Sequence, residues 1–392
     1  MNCCSKKKMI NNNVSNRSTP ISQTTVNQEY FDFVEACGNI ADESTKNTNA
    51  IGLRKLHANV NRFSVFEEAP PFMEKYFNVV EETYQALQTS NTVGIWKTYC
   101  PADFQMVKIN IARGSTCKIH LVMHKKSGFI GVLKVMPPNK MAEARTELNV
   151  LTMARENPFI IRLMDGFLCE NYYLFLEYAP FRTIDHLTQA VRGLGSDGSR
   201  LYALEVICAL QFLHERRIIH RDVKPENVLI LLSGHVALSD LGSSIMLEGN
   251  TILNRPCGTY VTRPPEVWNK QSYSTPVDIW ELGMSLFNMI ANSWPIVHPN
   301  KEKQIALVTN GKIVFTEVFK EQATDIISQM LQVDPSKRPT CTELLRHEYF
   351  ESLREPYAPP YTPSQLFSIF DYGDEGRVIQ ELISKIEKKS SF

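Results

Sequence analysis

Three short segments between residues 106 and 136 alternate apolar with polar residues, which is the pattern of half-buried strands. They are MVKINIA, KIHLVMHK and GFIGVLKVM. Gly114 marks a turn after the first segment, and KKSG marks a turn after the second. The pattern therefore predicts three strands joined by turns.

A helical pattern follows in MAEARTELNVLTMAREN, and two further strands are predicted by FIIRLMDGF and YYLFLEYA. Helical patterns dominate the chain after these segments. Since a small strand-rich half precedes a larger helical half, the order of elements predicts an α+β fold of two lobes with a cleft between them. We expect the small lobe to hold the strands and one helix, and the larger lobe to be mainly helical.

The chain divides into four predicted segments. Residues 1–28 are rich in Asn, Ser and Thr and have no apolar pattern, which indicates a disordered polar tail. Residues 29–102 are an extension with one amphipathic helix, whose apolar face carries Phe72, Tyr76, Val79, Val80 and Tyr84. The two-lobed domain follows, with lobes 103–178 and 179–350. A C-terminal tail, 351–392, ends in the short amphipathic pattern VIQELISKIEKK.

The charge balance limits the possible partners. Basic and acidic residues number 42 each, so bulk electrostatics do not favour binding to nucleic acid. We find no apolar run near the ~20 residues of a membrane span and no apolar core of a signal peptide at the start. The 9 cysteines are scattered without metal-ligand spacing, which is typical of a reducing compartment. We therefore expect a cytoplasmic protein, with a nuclear one as the alternative.

The first residues, MNCCSKKK, allow a second view of location. Acylation of Cys3 and Cys4 beside the lysine cluster would supply the two signals that a peripheral membrane anchor needs. Asn2 takes the place of the glycine that myristoylation requires. The alternative is a polar tail whose cysteines are incidental.

The segment HRDVKPENVLI carries the strongest chemical signal. It places Asp222, Lys224 and Asn227 on one short loop, and a second acid, Asp240, follows in SDLG. One acid can accept a proton from a hydroxyl, while the amide and the second acid can hold Mg²⁺ on phosphates. The combination indicates phosphoryl transfer, because a plain polar loop would not need these residue types together.

These motifs resemble the eukaryotic protein kinase family over about residues 103–350. The resemblance implies that Asp222 is the catalytic base, that Asn227 and Asp240 are the metal ligands, and that Lys224 lies near the transferred phosphoryl group. GVLKV and TELNVL resemble the motifs whose lysine holds the α- and β-phosphates and pairs with a glutamate, here Lys134 and Glu147.

Further roles follow from the same resemblance. Thr259 would hydrogen-bond Asp222 and Lys224. The implied ATP-binding residues are Ile111, Gly114, Ser115, Ile119, Val132, Lys134, Leu176, Glu177, Ala179, Leu229 and Phe370. The implied structural residues are His220, Arg221, Asp278 as a brace for the catalytic loop, and a Glu266–Arg338 bridge in the large lobe.

Within the family the chain is similar to the AGC group and looks like a divergent relative of the cAMP-dependent protein kinases. NPFIIRL, SGHVALSD and MLQVDPSKR carry this likeness, and EPYAPPYTP with SIFDYGDEGRV resembles the AGC tail. That tail passes the nucleotide pocket and would lend it Phe370. Two alternatives remain: FSIFDY docks on the small lobe with Asp371 in place of a phosphate, or the tail is loose.

Four of the departures from the family pattern bear on whether the chain is an active enzyme. Ala112 and Cys117 replace two of three loop glycines, Val132 replaces the alanine over the adenine ring, and Arg255 stands at the usual phosphothreonine. A phosphate at this position would pair with Arg221, whereas the arginine found there would repel it. Either activation does not use a phosphate at this position, or a neighbour, Thr251 or Glu248, substitutes for it. These departures motivate a pseudokinase, a nucleotide-binding or scaffold module, as the competing hypothesis.

The leading prediction is a serine/threonine protein kinase that uses ATP and Mg²⁺, because every charged group that the chemistry needs is present. Its partners would be protein substrates with Ser or Thr acceptors, and the sequence names no regulatory partner. A separate alternative concerns Cys117 and Cys257, whose thiols are either redox-sensitive near a cationic site or inert and partly buried.

Overall fold

The computed structural model describes residues 100–113, 117–155, 157–247, 253–254, 256–353 and 358–389. The predicted tail, nearly all of the extension with its amphipathic helix, and the acylation candidates Cys3 and Cys4 lie outside these residues. In the part that is described, no helix combines the length and the apolar character that a membrane span requires.

A five-stranded antiparallel sheet forms the small lobe, in the order β1-β2-β3-β5-β4. The strands are β1 (Phe104–Arg113), β2 (Lys118–His124), β3 (Ile130–Met136), β4 (Leu163–Leu168) and β5 (Tyr172–Glu177). Helix α1 (Met141–Met153) packs on the sheet and buries Ala144, Glu147, Val150 and Leu151. Stacked and edge-on aromatic rings fill the far side of the sheet, from Phe104 through Phe167 and Phe175 to Tyr173.

The large lobe is mainly helical. Its helices are α2 (Ile184–Val191), α3 (Gly195–Glu215), α4 (Pro265–Trp268), α5 (Pro276–Ala291), α6 (Lys301–Asn310), α7 (Glu321–Met330) and α8 (Cys341–Leu345). Every residue from Val277 to Ile290 of α5 is buried, so this helix is the centre of the lobe. Because α5 is buried on every face, its polar residues, among them Asp278 and Glu281, also lie in the interior of the lobe.

Short strand pairs line the edge of the large lobe that faces the small one. Strand β6 (Ile218–Ile219) pairs with β9 (Ile245–Met246), and β7 (Val228–Ile230) pairs with β8 (Val236–Leu238). The HRDVKPEN motif occupies the loop between β6 and β7.

The C-terminal tail forms α9 (Pro363–Ile369) and α10 (Gly376–Lys389). Between them, the Glu375 carboxylate lies 2.7 Å from the Lys108 ammonium of β1 and accepts a hydrogen bond of 3.2 Å from the Tyr178 hydroxyl. Arg182 donates to the carbonyl oxygen of Asp371. The tail thus contacts both the small lobe and the connector that follows β5.

The predicted α+β class with a small sheet-based lobe and a larger helical lobe is confirmed. One boundary was wrong: FIIRLMDGF predicts a strand from Phe159, but β4 begins at Leu163. Phe159 and Ile161 bond instead to the backbone of Leu238 in β8, with N–O distances of 2.8 and 2.9 Å. Their apolar side chains are buried in that contact.

Candidate active site

The loop of HRDVKPEN is fixed from below by a buried carboxylate of α5. Asp278 accepts hydrogen bonds from the backbone amides of His220 (2.9 Å) and Arg221 (2.8 Å), and it contacts His214 Nε2 at 2.8 Å. Burial alone would raise the pKa of Asp278, but the hydrogen bond from His214 and the nearby histidine charges hold it below its usual value. The predicted brace position of Asp278 is therefore occupied by an ionised group.

Asp222 lies at the centre of a dense polar network. Its carboxylate accepts hydrogen bonds of 2.7 Å from the Lys224 ammonium and 2.7 Å from the Thr259 hydroxyl. Lys224 also donates to the Thr259 hydroxyl oxygen at 2.7 Å. The Asn227 amide donates to the backbone and side chain of Asp222, at 2.8 and 3.1 Å. The structure thus brings together the four predicted residues of this loop and of CGT.

A second network joins the two lobes. The Lys134 ammonium lies 2.8 Å from both carboxylate oxygens of Glu147 on α1 and 3.0 Å from Oδ1 of Asp240. The Lys134 and Glu147 side chains are 9% and 2% exposed, whereas that of Asp240 is 52% exposed. Burial disfavours the charged lysine, but the two carboxylates outweigh it and raise the pKa of Lys134 well above its usual range. Lys134 therefore carries a buried positive charge between Glu147 of the small lobe and Asp240 of the large lobe.

The donor atoms on Asn227 and Asp240 fit Mg²⁺. Asn227 makes its side-chain hydrogen bonds through the amide nitrogen, and Asp240 contacts Lys134 through Oδ1, so an amide oxygen and a carboxylate oxygen are left for a cation. Burial opposes ionisation of Asp240, but Lys134 keeps its pKa below the usual value. No cluster of three His, Cys, Asp or Glu side chains that could hold a metal occurs among the described residues. Mg²⁺ usually takes one or two protein carboxylates beside substrate phosphates.

The predicted nucleotide pocket is spread over both lobes. Val132 of β3 is the register partner of Leu176 in β5, and Ile119 of β2 is the partner of Lys134. Ile111 of β1 is half-buried, and so are Ala179 of the connector and Leu229 of β7. Gly114 and Ser115 lie outside the described residues.

Two predicted pocket residues have other contacts. The Glu177 carboxylate accepts a hydrogen bond of 2.7 Å from the backbone amide of Arg162. The Phe370 ring is half-buried, and the Arg182 guanidinium lies over it, 5.4 Å from the ring centroid. The ring also packs edge-on against Tyr372. Phe370 therefore lies beside the connector, and its part in binding the nucleotide stays a prediction.

The segment after Asp240 is described in part. Arg255 and the two candidate substitutes, Thr251 and Glu248, lie outside the described residues. Arg221, the predicted phosphate partner, donates at 2.6 Å to the backbone carbonyl of Ser243 and weakly, at 3.4 Å, to the Tyr273 hydroxyl. His220 contacts the Ser239 carbonyl oxygen through Nε2 at 3.0 Å. These contacts connect the HRDVKPEN loop to Ser239, just before Asp240, and to Ser243, three residues after it.

Glu266 and Arg338 form a buried ion pair in the large lobe. The Arg338 guanidinium makes two hydrogen bonds, of 2.6 and 2.7 Å, to the two carboxylate oxygens of Glu266. The side chains are 0% and 2% exposed. Arg338 also stacks over Trp280 of α5, 5.1 Å from the ring centroid. The pair joins α4 to the segment before α8.

One residue in contact with this machinery escaped the sequence reasoning. Glu281, in VDIWELG, is fully buried in α5 and accepts a hydrogen bond of 2.7 Å from the backbone amide of Val223. The signal was present, because an acid in the middle of an otherwise apolar helix is costly unless it has a task.

We expect Cys257 to be an inert thiol rather than a redox sensor. Burial raises its pKa to about 11, so the reactive thiolate is scarce at neutral pH. Alkylation by a neutral reagent, followed by peptide mass spectrometry, is expected to speed up about tenfold per pH unit between about pH 7 and about pH 10. The urea-unfolded chain is the control and should react at least about 10²-fold faster at neutral pH. Equal rates in the folded and unfolded chains would contradict the expectation.

Comparison with known proteins identifies the family. The family model described as "Protein kinase domain" matches residues 106–350. The 3-phosphoinositide-dependent protein kinase B of Dictyostelium discoideum is 30% identical over 266 residues, which are 65% of this chain and 29% of that protein. An Aurora kinase of Debaryomyces hansenii is 31% identical over 259 residues, 63% of this chain and 62% of that protein.

A third relative is covered more fully. The phosphorylase b kinase gamma catalytic chain, liver/testis isoform, of Bos taurus is 30% identical over 298 residues, 70% of this chain and 71% of that protein. The chain spans less than two thirds of the first two relatives. The three relatives are kinases with different names, so they do not indicate one group within the family. The likeness to the AGC group and to cAMP-dependent protein kinases therefore rests on sequence motifs alone. The matched residues contain both polar networks, and the chain belongs to the protein kinase family.

Proposed function

We propose that this chain is an active serine/threonine protein kinase that transfers the γ-phosphoryl group of ATP to hydroxyl groups of protein substrates. The observation that carries the proposal is the network around Asp222, in which Lys224, Thr259 and Asn227 all contact one carboxylate at 2.7 to 3.1 Å. A carboxylate held by three neighbours is oriented before a substrate arrives, and positioning is the main requirement of phosphoryl transfer.

Asp222 is the proposed base. Its carboxylate would accept the proton of the substrate hydroxyl, while the Thr259 hydroxyl and the Lys224 ammonium keep it oriented. The Lys224 charge lies close enough to offset negative charge that develops on the transferred group. Each of these proposed tasks would fall to a side chain that the sequence had singled out.

Lys134 is the proposed partner of the α- and β-phosphates. Glu147 holds the ammonium from below at 2.8 Å, so the charge is aimed into the cleft and is compensated when no nucleotide is bound. When bound through Asn227 and Asp240, Mg²⁺ would neutralise phosphate charge during the transfer.

The pseudokinase alternative rests on Ala112, Cys117, Val132 and Arg255. Cys117 and Val132 are half-buried residues at the roof of the cleft, and neither carries a charge that the chemistry requires. We therefore propose that they weaken ATP binding without abolishing turnover. The charged groups at Lys134, Asp222 and Asp240 favour an enzyme over a scaffold.

We also propose an AGC-like arrangement of the tail. Support comes from Glu375, which contacts Lys108 of the small lobe and Tyr178 of the connector, and from Phe370, which stacks beneath Arg182. Two alignments of the tail were open: in one it passes the connector, and in the other FSIFDY docks elsewhere on the small lobe. These contacts favour the first. Peripheral membrane association through Cys3 and Cys4 stays a separate hypothesis.

The proposal predicts that Lys134→Met lowers the incorporation of labelled phosphate from Mg·ATP by about 10²–10³-fold, because it removes a charge aimed at the phosphates. The assay uses the full chain and a positional library of Ser and Thr peptides. Lys126→Met, an exposed change in the same lobe, is the matched control and should retain full turnover. Wild-type turnover no higher than that of Lys134→Met, on peptides or on the chain itself, would favour the pseudokinase.

A further inference from the structure

Glu281 is a carboxyl group deep in the large lobe that none of the steps above uses. It is 0% exposed. Its Oε2 accepts the hydrogen bond of 2.7 Å from Val223, while Oε1 has no hydrogen-bond partner among the described residues. A methyl carbon placed on Gly258 would lie 2.4 Å from Oε1. The carboxyl group therefore fills the whole space between the amide of Val223 and the backbone of Gly258.

Both contacts are next to the proposed reaction centre. Val223 follows Asp222 directly, and Gly258 directly precedes Thr259, whose hydroxyl donates to Asp222 at 2.7 Å. Gly258 has a φ of 73°, in the left-handed region that favours glycine, and the close approach of Glu281 gives it a second reason to lack a side chain. One carboxyl group thus touches both of the segments that build the Asp222–Thr259 contact.

Helix α5 holds the catalytic loop on both sides of Asp222. Upstream of Asp222, the Asp278 carboxylate accepts hydrogen bonds from the backbone amides of His220 and Arg221. Downstream of Asp222, Glu281 accepts a hydrogen bond from the Val223 amide, and the Ser285 hydroxyl donates one of 3.1 Å to the Val223 carbonyl. We call these two hydrogen bonds the downstream clamp. The downstream clamp uses different acceptor and donor atoms from the Asp278 brace.

The charges around Glu281 are mostly negative. Asp278 shares its helix and is itself braced by His214 of α3, while Asp222 and Lys224 face Glu281 from the catalytic loop. Cys257 of the segment before Gly258 is also within electrostatic reach. Burial and Asp278 together raise the pKa of Glu281 well above its usual value. Burial thus favours the protonated form of Glu281 more than in an exposed glutamate, since a buried carboxylate with an unpaired oxygen is costly.

We propose that Glu281 is a positioning residue for phosphoryl transfer: it holds the Val223 amide, fills the space beneath Gly258, and so fixes Asp222 and Thr259 relative to each other. The inference rests on the proposed kinase activity. Glu281 acts through its two neighbours and touches neither substrate nor phosphate.

Two variants of the full chain test this role. Glu281→Leu has no acceptor for the Val223 amide and is expected to lower kcat about 10–10²-fold, with the KM for ATP changed less than about threefold. Glu281→Gln keeps an oxygen for that amide and is expected to restore kcat at neutral pH to within about threefold of wild type. A role in stability alone would lower the urea midpoint and leave kcat of the folded enzyme unchanged.

The pH profile gives a readout that does not depend on Glu281→Leu folding. Ionisation of Glu281 beside Asp278 would disturb the clamp, so kcat of wild type is expected to fall at high pH, and Glu281→Gln should lack that fall. Glu205→Gln is the matched control: Glu205 is equally buried, but it contacts His235 and the Val236 amide, away from the catalytic loop. This variant should keep the wild-type pH profile.

The outcomes separate the two proposals. Wild-type protein that binds Mg·ATP but transfers no phosphate would overturn the proposed activity, and the positioning role with it. Normal transfer by folded Glu281→Leu, or a high-pH fall that is unchanged in Glu281→Gln, would overturn the positioning role alone.

Discussion

Asp222→Asn is expected to lower kcat for phosphoryl transfer by roughly 10³-fold, while the KM for ATP changes less than about threefold. The asparagine amide has the size of the carboxylate and can still accept one of the two bonds from Lys224 and Thr259. It cannot take the proton of the substrate hydroxyl, and it lacks the negative charge that keeps Lys224 in place. The loss therefore falls on the chemical step rather than on binding.

Single-turnover measurement with saturating Mg·ATP and a Ser peptide checks this expectation, because it isolates the chemical step from product release. Asp325→Asn is the matched control, since Asp325 is an exposed carboxylate on α7 that pairs with His347. It should leave kcat unchanged. A kcat for Asp222→Asn within about tenfold of wild type would show that the proton is accepted elsewhere.

The elements of the small lobe could be predicted from sequence because their signal is local. Alternation in KIHLVMHK and GFIGVLKVM reports directly which side chains face the core, and turn residues mark the ends. The same is true of α1: the helical pattern MAEARTELNVLTMAREN contains the observed helix Met141–Met153 and extends four residues beyond its end. Adjacent residues determine these elements, so a short window of sequence is sufficient.

Contacts between distant segments could not be obtained in this way. The buried apolar run Phe159–Ile161 has the pattern of a strand, but it bonds to β8 of the other lobe, and periodicity does not distinguish these cases. The pairing of Lys134 with Glu147 came from resemblance to a family rather than from spacing. Glu281 was missed because its meaning depends on Val223 and Gly258, which reach it only when the chain has folded around α5.

The largest effect on stability is expected from Arg338→Ala, which should lower the free energy of unfolding by about 3–5 kcal/mol. The change leaves the Glu266 carboxylate buried, 2% exposed, without the two hydrogen bonds of 2.6 and 2.7 Å that compensate its charge. It also removes the guanidinium that covers Trp280 and the bond of 2.9 Å to the Pro276 carbonyl at the start of α5. Most of the cost comes from the orphaned charge rather than from the lost attraction.

Urea unfolding of wild type, Arg338→Ala and the double variant Arg338→Met/Glu266→Leu separates these contributions. Because apolar side chains of similar size need no counter-charge, the double variant is expected to recover at least about half of the loss. Lys320→Ala is the surface control: its ion pair with Asp197 is 58% exposed on both sides, so screening should keep its effect below about 1 kcal/mol. If Arg338→Ala cost no more than Lys320→Ala, the buried pair would have no larger role in stability than an exposed one. If the double variant were as unstable as Arg338→Ala, the cost would lie in lost packing around Trp280 and not in the uncompensated charge of Glu266.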